Sequence, residues 1–229
     1  MREYQRFAVY YAPRPGAFAS RVAKWLGWDP EAGQPIAYEG PQALPRPQAE
    51  LTMSPRKYGF HGTIRAPFRL GEGVDRAALS GALAALAARL APVVMPGLEL
   101  RQLGGFLALV PQGDESALMA LGAEVVTALD GLRAPLNEAE IAKRRPERLN
   151  PRQRELLAAW GYPYVMEEFR FHLTLSDDLP GPEAAGLAAV LGPWLQPDLP
   201  RPFELADLCL FGEDHQGRFH LLERHALTG

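Results

Sequence analysis

The chain has 229 residues, of which 47% are hydrophobic and 22% charged, a globular composition that excludes an intrinsically disordered protein. Its formal net charge of −3 gives no overall positive field for holding duplex DNA or long RNA. We therefore expect one sizeable core, and the 22 glycines and 22 prolines predict many short elements joined by defined turns.

Cysteine content and hydropathy exclude further classes of protein. The single cysteine, Cys209, excludes an internal disulfide and a cysteine-rich zinc site, and its apolar neighbours favour a buried, inert thiol. The first residues lack the apolar stretch of a signal peptide, and the most apolar later window, residues 76–90, is too short to cross a bilayer. The sequence thus predicts a cytoplasmic protein with no membrane partner.

The predicted elements begin with a strand at Arg6–Tyr11, which is aromatic and β-branched at its centre. A helix follows at Ala17–Leu26, with Gly27 placed to end it. Residues 28–56 are rich in proline, glycine and glutamine without a steady period. They predict a long loop or lid rather than a domain linker, because a core-like strand follows at once.

A strand, a helix and two further strands are predicted after this loop. The strand begins at Phe60, and the helix is capped by Asp75 and runs to about Leu90. The last two strands, Leu98–Leu103 and Phe106–Val110, are joined by a glycine turn. The order of this segment is therefore β-α-β-β.

The same order returns near the end of the chain. A strand begins at Phe169, a helix covers Pro182–Leu191, and strands follow at Phe203–Phe211 and Arg218–Leu227. The elements of the two segments also have nearly equal spacing. This agreement indicates an internal duplication.

The two copies are separated by helical and basic sequence. A helix at about 116–129 is followed by a basic stretch and by a helix that Asn150 caps and Gly161 ends. We divide a single bilobal domain, residues 1–229, into a first repeat at about 57–111, a connecting segment at about 112–165 and a second repeat at about 168–227.

The predicted fold class is α+β. The hairpins imply mostly antiparallel sheets. We expect two pseudo-symmetric β-α-β-β lobes, each a small sheet backed by helices, around a central cleft. The lobe to which Arg6–Tyr11 belongs is left open.

Each copy opens on the same motif, FHGTI at Phe60–Ile64 and FHLTL at Phe171–Leu175. Alternate residues of a strand share a face, so one face of each copy is apolar and predicts burial. The opposite face carries a cation, a histidine and a hydroxyl in line. Its members are Lys57, His61, Thr63 and Arg65 in the first copy, and Arg170, His172, Thr174 and Ser176 in the second.

A cleft that holds a phosphate explains this repeated combination. The unperturbed pKa of histidine, about 6.5, lets one histidine act as a base and the other as an acid near neutrality. Threonine hydroxyls donate hydrogen bonds to phosphate oxygens, and lysine or arginine supplies positive charge. A single His-x-Thr strand would more often be a cross-strand pair with no catalytic role, whereas two matched copies favour a site.

Other polar and aromatic groups have weaker patterns. We take Tyr11 and Tyr162 as candidates for contact with a sugar or base, although Tyr10 and Tyr164 fit equally and ordinary packing is an open alternative. A charge run usually faces water, so we expect a solvated basic cluster of Lys143, Arg144, Arg145, Arg148, Arg152 and Arg154. The three histidines of the last hairpin, His215, His220 and His225, are expected to be structural.

The paired motifs resemble those of the two-histidine phosphoesterases, whose hallmark is two His-x-Thr/Ser motifs. The segments KYGFHGTIRAPF and LNPRQRELLAAWGYPYVMEEFRFHLTLS, with the opening YYAPRPG, resemble a bacterial branch associated with phosphonate-metabolism operons. The resemblance implies a bilobal fold in which His61 and His172 perform acid–base catalysis while Thr63 and Thr174 bind the phosphate. One departure is Ser176, where a threonine is expected, and serine keeps the hydroxyl.

The resemblance implies a phosphoric diester hydrolase that uses no metal and no other cofactor. Neither motif brings a second histidine or a carboxylate beside it, as a zinc site would need. We expect a small cyclic phosphodiester as substrate, for which a ribose cyclic phosphate from phosphonate catabolism is attractive, and no nucleic-acid partner. The alternatives are an RNA-end 2′,3′-cyclic phosphodiesterase or 2′-5′ ligase-like enzyme and a non-catalytic nucleotide-binding module. The oligomeric state is left open.

Overall fold

The computed structural model describes residues 3–229. Its helices are α1 (Ala17–Leu26), α2 (Gln48–Leu51), α3 (Arg76–Ala87), α4 (Ser116–Ala128), α5 (Glu138–Lys143), α6 (Pro151–Trp160) and α7 (Gly181–Leu195). Its strands are β1 (Arg6–Tyr11), β2 (Trp28–Asp29), β3 (Gln34–Pro35), β4 (Gly62–Phe68), β5 (Val93–Met95), β6 (Leu98–Leu103), β7 (Phe106–Pro111), β8 (Leu173–Thr174), β9 (Phe203–Leu205), β10 (Asp207–Glu213) and β11 (Phe219–Ala226).

The helix boundaries follow from local chemistry that the sequence already carries. The Asp75 side chain accepts a hydrogen bond from the backbone N–H of Ala78 at 2.8 Å and so caps α3. Asn150 forms a capping box with Gln153 at the start of α6. Gly27 and Gly161 end α1 and α6 with φ of 73° and 74°, a left-handed conformation that glycine adopts without strain. These helix starts and stops are confirmed.

Seven strands form one sheet in the order β11-β10-β1-β4-β8-β7-β6. Every neighbouring pair in it is antiparallel. The mixed helix-and-sheet class with antiparallel pairing is thus confirmed. The two small sheets expected from the sequence are instead joined into one, through a single residue pair between β4 and β8.

The two repeats exchange their strands within this sheet. β4 of the first repeat lies on the side of β10 and β11, the hairpin of the second repeat, with β1 between them. β8 of the second repeat pairs with β7 of the first. The helices follow the same rule, since α3 packs on β10 and β11 and α7 packs on β6 and β7. A small separate pair, β5 with β9, also joins equivalent positions of the two repeats.

The two faces of the sheet have different roles. One face packs under α1, α3, α4 and α7 and forms the main core. The apolar residues predicted to face inward from the two motif strands lie there, and these are Phe60, Ile64, Phe169, Phe171, Leu173 and Leu175. The other face carries a smaller cluster of Ala8, Tyr10, Ala12, Cys209, Phe211 and Phe219. Cys209 belongs to this smaller cluster, and its thiol is free and buried, as predicted.

Some elements differ from the sequence prediction. The expected strand Phe203–Phe211 is divided into β9 and β10, which belong to different sheets. The second motif strand is only two residues long, and α7 extends four residues beyond its predicted end, Leu191. Among residues 3–229, no helix is long and apolar enough to cross a membrane.

Candidate active site

The two His-x-Thr motifs meet where β4 and β8 pair. Gly62 is the register partner of Leu173 in this antiparallel pair, and each is the middle residue of its motif. One residue further in either direction, this register sets His61 opposite Thr174 and Thr63 opposite His172. Directly opposite side chains in an antiparallel pair lie on the same face and in contact range. The exchange of strands between the repeats therefore brings both motifs to one place.

Both histidines are held by the same local hydrogen bond. His61 Nδ1 lies 2.9 Å from the carbonyl oxygen of Gly59, and His172 Nδ1 lies 2.8 Å from that of Arg170. A carbonyl only accepts, so each Nδ1 carries the hydrogen and donates it. In the neutral ring, Nε2 is then the proton acceptor. Each imidazole is thus oriented and fixed in one tautomer by a carbonyl two residues earlier in the chain.

His61 is half-buried and packs against aromatic rings. Its ring centroid is 4.1 Å from that of Tyr10 and 5.5 Å from that of Tyr58. Burial lowers the pKa of His61 to about 4, an effect that its hydrogen bond to Gly59 partly offsets and the nearby His172 increases. His61 is therefore neutral at pH 7. Among the described residues 3–229, the ring neighbour of His172 is Phe106, at 5.6 Å between centroids.

The lowered pKa of His61 predicts a loss of stability in acid. An unfolded chain binds a proton at this histidine below about pH 6.5, whereas the folded chain binds it only near pH 4. The unfolded state therefore holds more protons in this window, and the free energy of unfolding should fall by up to about 3 kcal/mol between pH 7 and pH 4. Urea denaturation at several pH values measures this change.

The matched control for this experiment is His61→Asn, which removes the titrating group. Because other groups titrate in the same window, the difference between the two proteins is what reports on His61. We expect the pH slope of the variant to be shallower between pH 6.5 and pH 4. Equal slopes in both proteins would contradict the lowered pKa and neutral state of His61.

A cavity of about 360 Å³ opens over the two motifs. Its reactive and polar lining comprises His61, Thr63, Thr174, Ser54, Ser176, Asp177, Asp178 and Arg144. Its other lining residues are Tyr10, Tyr58, Tyr162, Phe106, Pro55, Ala66 and Pro67. The lining thus combines one motif histidine, His61, with hydroxyls from both repeats, one arginine and a wall of aromatic rings. His172 is not a lining residue of this cavity and lies opposite Thr63 at the seam. Such a lining suits a small polar ligand with an apolar or ring-shaped body.

The cations predicted for this face lie elsewhere. Lys57 and Arg170 are exposed and do not line the cavity, and Arg170 donates to the carbonyl oxygens of Glu167 and Phe169. The prediction that Arg65 shares a face with Thr63 is wrong. Register shifts make Thr63 pair with Tyr10 but Arg65 with the adjacent Val9, so the regular alternation is lost between them.

Arg65 instead has a structural role under α4. It is 3% exposed and donates to the carbonyl oxygen of Val126 at 2.5 Å and to Asp130 at 3.2 Å. Its guanidinium also lies 4.7 Å from the ring centre of Phe68. These contacts occupy the side chain on the helix-covered side of the sheet.

The aromatic prediction needs one correction. Tyr11 packs in the main core with its ring near Phe171 and Phe203, and Tyr10 is the residue that lines the cavity. Tyr162 lines the cavity, and its contact with a sugar or base stays a prediction. Tyr164 is exposed, and its ring lies edge-on to that of Tyr162.

The basic cluster is mostly a solvated and paired surface, with one exception. Arg152 pairs with Glu155 and Glu167, and Arg154 donates to a backbone carbonyl. Arg144, however, lines the cavity, which the charge run alone did not indicate. Among the histidines of the last hairpin, His220 is buried and paired with Asp214 at 2.8 Å, and none lines the cavity.

One protein family matches a segment of the chain that contains most of the residues lining the cavity. The family described as protein of unknown function (DUF1045) matches residues 63–220. The chain belongs to the DUF1045 family. The match covers Thr63 of the first motif and all of the second, and it includes the whole connecting segment.

Two curated relatives of this DUF1045 chain are much longer proteins. It is 41% identical over 176 residues to the ribose 1,5-bisphosphate phosphokinase PhnN of Janthinobacterium sp. (strain Marseille), and the match covers 76% of the chain and 39% of the relative. The protein of the same name from Laribacter hongkongensis (strain HLHK9) is 38% identical over 179 residues, with 76% and 40% covered. The chain thus spans about two fifths of the length of the curated relatives it matches.

Solved structures with low sequence identity resemble the DUF1045 chain over its full length. LigT of E. coli in its apo form has a TM-score of 0.45 at 18% identity, with 99% of each chain covered. TT0787 of Thermus thermophilus has a TM-score of 0.47 at 13% identity, with 98% of each covered. These likenesses are weak, so the candidate site depends on the residues of this chain.

Proposed function

We propose that this protein is a two-histidine phosphoesterase that hydrolyses a small cyclic phosphodiester without a metal ion. The observation that carries the proposal is the pairing of Gly62 with Leu173, which sets one histidine and one threonine from each repeat across a single seam. The matched hydrogen bonds at Nδ1 support it, because they leave both Nε2 atoms available for proton transfer. A binding module alone would need no second proton-transfer group.

In the proposed reaction, one water molecule is consumed and no electrons are transferred. The neutral His61 removes a proton from water as the water oxygen forms a bond to phosphorus. The bond from phosphorus to the departing ribose oxygen breaks, and His172 in its protonated form donates a proton to that oxygen. Thr63 and Thr174 donate hydrogen bonds to the non-bridging oxygens, on which negative charge increases. The product is a phosphomonoester with a free hydroxyl, and proton exchange with solvent restores both histidines.

We assign the base and the acid from the environment of each histidine. His61 lies against Tyr10 and Tyr58, and burial keeps it neutral at pH 7, so it enters the reaction ready to accept a proton. His172 has fewer ring contacts and is the partner left to act as the acid.

The proposed substrate class is a phosphorylated ribose. A cavity of about 360 Å³ suits a sugar phosphate rather than a polymer. The curated relatives, of which this chain spans about two fifths, have ribose 1,5-bisphosphate in their names, and this supports a ribose phosphate as the substrate of this chain. A ribose cyclic phosphate formed during phosphonate breakdown meets both requirements.

Phosphorus-31 NMR of the purified protein with a panel of cyclic phosphates tests the proposal. We expect the cyclic diester resonance to be replaced by that of a monoester, at the same rate before and after exhaustive treatment with EDTA. Loss of turnover that returned on addition of zinc or manganese would contradict the metal-free mechanism. Absence of turnover across the panel would contradict the function itself.

The RNA-end alternative has less support. It needs a basic track for the RNA backbone, and two of the six cations in the basic cluster are already engaged, Arg152 by two glutamates and Arg154 by a carbonyl. The same NMR assay at low and physiological salt separates the two activities, because only mild salt dependence is expected for a small substrate. Tight, steeply salt-dependent binding of an oligoribonucleotide would favour the RNA-end activity instead.

A further inference from the structure

One cation lines the cavity without belonging to either repeat. Arg144 follows α5 in the connecting segment, and its guanidinium lies 4.7 Å from the ring centre of Tyr162, which also lines the cavity. Within residues 3–229, no carboxylate lies within salt-bridge distance of Arg144, although its neighbours in the segment, Arg133 and Arg152, are paired. A stacked arginine with unengaged donors is suited to binding a phosphate.

The position of Arg144 is fixed by three sets of contacts. A capping box between Asn137 and Glu140 begins α5. Arg69, directly after β4, donates to both oxygens of Glu140 at 3.0 and 2.9 Å and so ties α5 to the end of this strand. The guanidinium also stacks on the ring of Tyr162. A planar group held in this way loses little conformational freedom when it binds an anion.

The cavity lining carries both signs of charge. Arg144 comes from the connecting segment, directly after α5, whereas Asp177 and Asp178 follow β8. A second anionic group would be repelled by the two carboxylates and attracted by Arg144. Arg144 is therefore the side chain of this lining that favours an additional anion.

In the proposed reaction, the reacting phosphate is bound by Thr63 and Thr174 and acted on by the two motif histidines, which leaves Arg144 without a role at the seam. We propose that Arg144 and Tyr162 form a subsite for a second anionic group, a phosphomonoester carried by the same substrate molecule. This inference rests on the proposed function, and it makes a doubly phosphorylated substrate the preferred one.

Kinetics with a matched pair of substrates test the subsite. The pair is adenosine 2′,3′-cyclic phosphate and the same compound with an added 5′-phosphate. We expect Arg144→Gln to lower kcat/KM for the 5′-phosphorylated compound by about 10- to 100-fold, the loss of a hydrogen bond to a charged group. The compound without the 5′-phosphate should change by less than about threefold. An equal loss for both compounds would assign Arg144 to the reacting phosphate and overturn the proposal.

Matched variants make the result specific. Arg148→Gln removes the same charge from an exposed position of the same segment and should leave both values unchanged. Arg144→Lys keeps the charge without the planar stack and should restore part of the preference. Tyr162→Ala should weaken the preference while leaving the singly phosphorylated compound less affected. Equal effects of the Arg144 and Arg148 substitutions would contradict a local subsite.

A binding measurement keeps this test independent of catalysis. Isothermal titration calorimetry with adenosine 2′-monophosphate and adenosine 2′,5′-bisphosphate needs no turnover. We expect the wild type to bind the bisphosphate at least about tenfold more tightly, and Arg144→Gln to remove that ratio. If the ratio is present while no cyclic phosphate is hydrolysed, the proposed function fails and the subsite stands. If the ratio is absent in the wild type or persists in Arg144→Gln, the subsite fails.

Discussion

Replacement of either motif histidine by alanine should lower kcat on a cyclic phosphodiester by about 10²- to 10⁴-fold, the contribution of a general acid or base. His61 and His172 act in the same step in our proposal, so the double variant should be much less than multiplicatively worse. Thr63→Val and Thr174→Val should lose a smaller factor, since each removes one hydrogen bond to the phosphate. Steady-state kinetics of the purified variants measure all of these effects.

His215→Ala is the matched control for the histidine variants. His215 is exposed in the turn before β11 and lies outside both the cavity lining and the β4–β8 seam, so its replacement should leave kcat within about twofold of the wild type. Circular dichroism and thermal unfolding establish that each variant is folded. Near-normal turnover by His61→Ala or His172→Ala would refute the paired acid–base assignment.

Gly62→Ala should destabilise the fold although it adds only one methyl group. A Cβ at Gly62 would lie 2.3 and 2.4 Å from two ring atoms of Phe171, which is 2% exposed and packed near Tyr11 and Phe203. Overpacking of this kind costs about 1–3 kcal/mol, which corresponds to a fall in Tm of several degrees for a chain of this size. Thermal and urea unfolding measure the loss, and activity should also fall because the seam between the motifs must shift.

The chain offers a control with the same chemical change. Gly186, in the middle of α7, has open space where a Cβ would be added. Gly186→Ala should therefore stabilise the protein by about 0.5–1 kcal/mol through helix propensity. Shortening the clashing ring in Gly62→Ala/Phe171→Leu should cost less than the sum of the single changes. A stable Gly62→Ala variant would mean that the seam is loosely packed.

The helix ends and the buried faces of the two motif strands could be predicted from the sequence, because both depend on short-range patterns. Asp75, Asn150 and Gly161 act through contacts within a few residues, and the alternation around His172 places Phe171 and Leu173 in the core as expected. The convergence of two His-x-Thr motifs could be expected from the duplication, although their catalytic roles stay predictions until the variants are measured.

Other features depend on long-range pairing, which residue patterns do not encode. The exchange of β4 and β8 between the repeats is settled by strand pairing across the whole chain. The register shift that turns Arg65 away from Thr63 has no signal in a regular alternating segment. Alternation alone also does not decide which of two adjacent tyrosines faces the cavity. The charge run likewise has no signal that Arg144, and none of its basic neighbours, lines the cavity.

The exchange of strands also has an evolutionary consequence. A single β-α-β-β unit would leave its first strand and its helix without the hairpin on which they pack, so it would need a second copy of itself. A duplication of this kind would begin from a homodimer with a two-fold axis through the β4–β8 seam, to which each subunit contributes one histidine. Fusion of the two copies would then release the two halves from identity. The present site, with His61 enclosed by tyrosines and Arg144 on one side only, has the asymmetry that a symmetric dimer could not acquire.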